Sequence, residues 1–185
     1  FNMGSHYFDL ALRLNNDQPA EWVQATLRAD DNIFEGDILR TDPVGEGFVA
    51  FANGVTAYLL STPRSSDCEV ICENGSLTAF NDGLTWQLRR RQPIDANGHT
   101  GFVDAPYPEP PRVSSTLRLI EDLVQALDTG APTQGGARVA LAGAELIFAF
   151  IESHRRGGAR VHLPLEAHNM RLQRNFAAHQ PRYTA

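Results

Sequence analysis

Two Asn-Gly pairs, Asn53-Gly54 and Asn74-Gly75, each stand between short runs of alternating apolar residues, and they constrain the fold more than any other feature of the chain. Asn-Gly is the favoured centre of a type I′ hairpin turn, because both central residues there take positive φ. The spacing predicts strands over Glu46–Ala52 and Val55–Ser61, then over Glu69–Glu73 and Ser76–Phe80. Asn81-Asp82-Gly83 leads into one more, Leu84–Arg90. Consecutive strands joined by tight turns make an antiparallel meander. A strand over Glu21–Ala29 precedes them, with Trp22, Ala25 and Leu27 as its apolar positions, and Arg160–Leu165 closes the set. Between strands, Asp30–Gly45 reads as a solvated loop. Gln92–Arg112 reads as a long Pro- and Gly-rich loop, with His99 and Tyr107 as its ligand-capable side chains.

Three helices frame the meander. Leu117, Ile120, Leu123, Val124 and Leu127 recur at helical spacing behind Ser114-Ser115 as a cap, and Gly130 stops that helix. Ala137–Arg156 is longer, with Ala140, Leu141, Ala144, Ile147, Phe148 and Ile151 apolar and Arg155-Arg156 in the last turn, where cations suit the macrodipole. His154 there reads as a helix-end charge. Ser5–Leu14 is the first helix, capped by Ser5, with Phe8, Leu10, Ala11, Leu12 and Leu14 apolar. The expected class is α+β: a mostly antiparallel, open-faced sheet with helices packed on one face. Phe48-Val49-Ala50-Phe51 and Ala57-Tyr58-Leu59-Leu60 are apolar on both parities, so the sheet's other face also needs a cover.

A chain of 185 residues buries a core without staples. Its net charge of −6 argues against nucleic-acid or anionic-membrane partners, and no apolar run reaches membrane length. Cys68 and Cys72 lie roughly 13 Å apart in an extended strand, at about 3.3 Å per residue. A disulfide needs Cα atoms within about 7 Å. Two buried thiols in a reducing, cytoplasmic compartment are expected. All 16 basic residues are Arg, so no Lys-dependent step is completed within these residues. No Gly-x-Gly-x-x-Gly follows a strand, which removes the usual pyrophosphate cradle. Arg89-Arg90-Arg91 reads as a solvated strand end rather than an anion grip.

Chemistry concentrates at the start. Asn2-Met3-Gly4-Ser5-His6-Tyr7-Phe8-Asp9 places an amide, an imidazole and a carboxylate at helical spacing, His6 and Asp9 being i, i+3. Three readings stand side by side: a cloning remnant, since Gly-Ser-His is common there; a structural histidine; and a general acid or base near a helix N-terminus.

Asn2-x-Gly4-x-His6-x-x-Asp9 resembles the Asp-x-Gly-x-His-x-x-Asp signature of the Gfo/Idh/MocA oxidoreductases (glucose–fructose oxidoreductase and inositol dehydrogenase). Cys72-Glu73-Asn74-Gly75-Ser76-Leu77 resembles a sheet segment of that family, and Ser153, Gly157-Gly158, Val161 and Leu163-Pro164 resemble its closing motif. The resemblance implies a C-terminal substrate and oligomerisation domain over residues 1–167, with 168–185 as a tail held by Leu172 and Phe176. It implies an N-terminal Rossmann domain that binds NAD or NADP and supplies a catalytic Lys, both upstream of Phe1, which is not a natural start. His6 would then move a proton at a sugar or polyol hydroxyl, Asn2 would orient it and Asp9 would bind substrate. The open sheet face would pair two copies, a helical partner domain being the other cover. Asn2 departs from the family's Asp: an amide can orient an imidazole but cannot take its proton. A non-catalytic binding or oligomerisation module is therefore the alternative, and this chain alone is expected to be inactive.

Overall fold

A computed structural model describes residues 2–28, 34–41, 43–61, 67–108, 113–166 and 168–173. The elements in order are α1 (Asn2–Leu14), β1 (Ala20–Arg28), β2 (Phe34–Glu35), β3 (Ile38–Leu39), β4 (Val44–Phe51) and β5 (Thr56–Leu59). Then come β6 (Cys68–Cys72), β7 (Gly75–Phe80), β8 (Thr85–Pro93), β9 (Thr100–Ala105), α2 (Ser115–Thr129), α3 (Ala137–Arg155), β10 (Val161–His162) and β11 (Arg171–Leu172). The class is α+β, with strands in three sheets: β10-β1-β4-β5, β11-β3-β2 and β6-β7-β8-β9. All pairings are antiparallel except β11 with β3. The chain divides into two compact units, residues 62–125 and the remainder.

In the larger unit, α1 and α3 cover one face of β10-β1-β4-β5. The core joins Phe8 and Leu12 of α1, Val23 and Ala25 of β1, Val49 and Phe51 of β4, Leu146, Ala149 and Phe150 of α3, and Val161 of β10. Phe8 and Phe150 meet edge to face, with centroids 4.8 Å apart, which fixes α1 on α3. Ser153 is a second anchor. Its fully buried Oγ accepts from the Ala25 N–H at 2.8 Å and donates to the Ala159 carbonyl at 2.6 Å. His154, in the last turn of α3 as expected, also ties that end to β1, its Nδ1 accepting from the Leu27 N–H at 3.2 Å.

On β1 the inward residues are Val23, Ala25 and Leu27. Strand alternation puts Trp22 on the opposite face, and a register irregularity precedes it between Ala20 and Trp22. There Trp22 meets Phe48 edge to face at 4.9 Å, Phe48 lies 5.8 Å from Tyr58, and the Arg160 guanidinium sits 3.7 Å over the Trp22 ring. This face carries an aromatic row ending in the exposed Tyr58.

The smaller unit holds the meander, and it extends further than expected. β8 runs to Pro93 and β9 pairs along it, so the supposed loop Gln92–Arg112 contains a hairpin. Arg89 and Arg91 are mid-strand, with guanidiniums 5.8 and 5.1 Å over the Phe102 ring. Tyr107 stacks on Trp86 at 5.3 Å, and His99 faces Asp95. Neither thiol is buried: Cys68 is half-buried and Cys72 exposed, both free. Partial burial raises the Cys68 pKa. α2 is helical as expected, with Ser114 Oγ accepting from the Leu117 N–H at 3.3 Å, but none of its residues is buried.

The turns differ from expectation in instructive ways. At the first hairpin the Gly54 N–H donates to the Phe51 carbonyl at 2.9 Å, and Gly54 but not Asn53 has positive φ. That is a three-residue loop closed by a left-handed glycine rather than a type I′ turn. At the second, Cys72 pairs with Gly75 around Glu73-Asn74, none of them at positive φ. Gly75 is needed for closeness: a Cβ there would collide with the Arg89 carbonyl oxygen of β8.

Asp30–Gly45 is not a plain loop, since β2 and β3 form a small hairpin within it. The closing strand shrinks to Val161–His162. The tail is pinned by β11 and by buried Met170, while Leu172 is exposed; Phe176 lies outside the described residues. Among the described residues, no helix is long and apolar enough to cross a membrane.

Candidate functional site

The site is built on α1, which begins at Asn2 instead of at a Ser5 cap. Ser5 is an interior helical residue, and His6 sits a full turn inside the helix. The macrodipole acts over the first turn, so the helix-end argument does not carry over to His6. At 100° per residue, His6 lies about 160° around the axis from Phe8. Phe8 is buried and His6 exposed, so the helix buries one edge and presents its imidazole on the other. Asn2 is one turn from His6 on the same side by the same spacing; its side chain lies outside the described residues.

Asp9 is placed differently. With Ser5, one turn earlier, it lines a groove of about 280 Å³ against Ala140, Gly143, Ala144 and Ile147 of α3. The small α3 residues leave that groove open at the rim instead of closing the helices together. The Asp9 carboxylate is 3.9 Å from Arg13 Nε. Arg13 also reaches Asp17 at 3.5 Å and donates to the Gln134 carbonyl. Arg13 thus ties the end of α1 to the segment before α3, and draws Asp9 along the helix towards itself. The structure joins Asp9 with Ser5 at the groove and sets His6 outside its lining.

A wider recess of about 870 Å³ opens at the other end of α1, among Leu12, Trp22, Leu146, Arg160, His162 and Pro164. Glu145 faces it from α3 and accepts from the Leu165 N–H at 2.8 Å. Neither Glu145 nor Arg160 stood out in the sequence. The available signal was one carboxylate, Glu145, inside the apolar run Val139–Ile151 of α3. Among the described residues, no group of three or more His, Cys, Asp or Glu is arranged to hold a metal ion.

No protein-family model and no curated protein sequence matches the chain. Solved structures do match. One is a provisionally assigned NADPH-dependent oxidoreductase of Desulfitobacterium hafniense, at 18% identity and TM-score 0.64 over 87% of this chain and 46% of that one. Another is an aldose–aldose oxidoreductase of Caulobacter crescentus complexed with glycerol, at 19% and 0.60 over 86% and 46%. A third is the WlbA dehydrogenase of Bordetella pertussis in complex with NADH and UDP-GlcNAcA, at 19% and 0.55 over 89% and 44%. The chain spans less than half the length of these three. It has the fold of the C-terminal part of oxidoreductases of the Gfo/Idh/MocA type.

Proposed function

We propose that residues 1–167 form the substrate-binding and oligomerisation domain of an NAD(P)-dependent oxidoreductase acting on a sugar or polyol hydroxyl, with 168–185 as its tail. The observation that carries this reading is the division of labour on α1. Phe8 and Leu12 lock the helix into the core, while His6 is exposed on the far side. A rigid helix that aims an imidazole away from its own core is suited to serve a surface supplied from elsewhere.

In this reading His6 exchanges a proton with the substrate hydroxyl, Asn2 orients the imidazole, and Asp9 accepts a hydrogen bond from substrate at the groove rim. NAD or NADP supplies or accepts the hydride. The described elements do not fit the nucleotide's phosphates: Gly135-Gly136 open α3 but follow α2 rather than a strand. The nucleotide therefore belongs to a Rossmann domain of the same protein, which also brings the Lys. The aromatic row Trp22, Phe48 and Tyr58 supports pairing of two copies through the open sheet face, in a cytoplasmic protein.

The test is the full-length protein assayed with NAD and NADP over a panel of sugars and polyols, beside its His6→Ala variant. Loss of turnover on substitution supports the reading; equal turnover removes His6 from the chemistry. A second reading, a ligand-binding or oligomerisation module without catalysis, is favoured by one observation: residue 2 is an amide and not a carboxylate. It predicts a ligand-dependent rise in Tm with no turnover by either protein.

A further inference from the structure

We propose that Asn97-Gly98, at the tip of the β8–β9 hairpin, is a site of spontaneous deamidation, singled out by the fold from three Asn-Gly sequences. The chemistry needs only water and a base. The Gly98 amide nitrogen loses its proton to solvent base and attacks Asn97 Cγ. The new C–N bond closes a succinimide as the Cγ–Nδ2 bond breaks and ammonia leaves. Water then opens the ring at either carbonyl, giving aspartate or isoaspartate, with no change of oxidation state. Three conditions govern the rate: a side-chain amide free to turn, a following N–H free of strong hydrogen bonds, and backbone room for the ring.

Asn97 meets all three. It is exposed, and its side-chain amide has no hydrogen-bond partner among the described residues. The Gly98 N–H has only partners within its own turn, the Asp95 carbonyl at 3.4 Å and the Asp95 carboxylate, and no strand ladder holds it. Nothing lies within 4 Å of a Cβ position on Gly98. The other two pairs are held. Asn53 exchanges side-chain hydrogen bonds with Asn15 at 2.8 and 3.3 Å and takes the Val55 N–H on Oδ1 at 3.3 Å. The Gly54 N–H is committed to the Phe51 carbonyl at 2.9 Å. Gly75 is paired with Cys72 on one side and Arg90 on the other, against the Arg89 carbonyl, so ring closure at Asn74 requires the sheet to open.

Conversion has a local consequence. Asp95 Oδ1 accepts the Asn97 N–H at 2.9 Å and the His99 N–H at 3.1 Å. An isoaspartate inserts an extra backbone carbon into that turn, and either product adds a negative charge beside Asp95.

The experiment is peptide mapping with isoaspartate detection during incubation of the intact protein at mildly alkaline pH, with a parallel sample unfolded in urea. The folded protein is expected to convert Asn97 at least about fivefold faster than Asn53 or Asn74, because reaction at those two waits on local opening. In urea the three should convert at similar rates, and Asn97→Gln should remove the early product without affecting the other two. Equal rates in the folded protein, or an Asn97 lead that persists in urea, would overturn the proposal.

Discussion

The two units solve the same problem unequally. The larger one closes a core: ten buried residues from five elements meet between α1, α3 and one sheet face. The smaller one has four paired strands, yet among its described residues only Ser76 is buried. Its order rests on the strand ladders, on Phe102 beneath two guanidiniums and on Trp86 against Tyr107. The lesson is that a strong hairpin signal and a strong core are separate properties. Turn chemistry can specify a meander that buries little, while an irregular run of helix and strand builds the packed half that positions the candidate site.

The sharpest way to break that contrast is a pair of truncations. Phe150→Ala should lose about 3–5 kcal/mol of stability, from the vacated volume and the lost contact with Phe8. Leu88→Ala in β8, only half-buried, should cost under about 1.5 kcal/mol. Urea unfolding of both measures the difference, and equal losses would show that the units share one level of packing. Ser153→Ala comes next. It strands the Ala25 N–H and the Ala159 carbonyl, and should cost about 1–3 kcal/mol in the same assay.

A third change tests the face opposite the core. Tyr58 is 72% exposed at the end of the aromatic row. Tyr58→Arg should shift the protein to a smaller species in sedimentation while moving Tm little, if that face is where copies meet. An unchanged sedimentation coefficient would leave the face solvated.

The smallest effect belongs to the meander. The side-chain hydrogen bond to His99, with backbone donors from the same turn, holds the Asp95 pKa below its usual value. A carboxylate with a depressed folded pKa stabilises above its unfolded pKa, and the contribution fades as pH falls through the folded one. Asp95→Asn should therefore lower hairpin stability slightly at neutral pH, and the difference should vanish in acid. Amide exchange over β8–β9 reads it; a difference that grows in acid would contradict the sign.

What was legible beforehand follows physical range. Hairpins β4–β5 and β6–β7 were readable because turn preference is local. So were α2 and α3, because apolar spacing is local too. The reason for Gly75 was not, since the carbonyl that excludes a Cβ belongs to another strand. That Trp22 joins Phe48 and Tyr58 in an aromatic row depended on which strands pair beside β1, and α1 begins three residues before its apparent cap. Of the candidate site, His6 and Asp9 stand out by motif and helical spacing; that the groove against α3 takes Ser5 and Asp9 but not His6 into its lining could not be read. Ser153 was noted only as part of a closing motif, and its role appears once β1 is laid beside α3.

On the proposed function, α1 divides anchoring by Phe8 and Leu12 from chemistry by His6. The most direct test measures turnover and thermal unfolding together on the full-length protein carrying His6→Ala. The expected result is a kcat lower by about 10²–10⁴-fold, the usual worth of a positioned acid or base, with Tm unchanged. Unaltered kcat, or a fall in Tm that accounts for the lost activity, would contradict it.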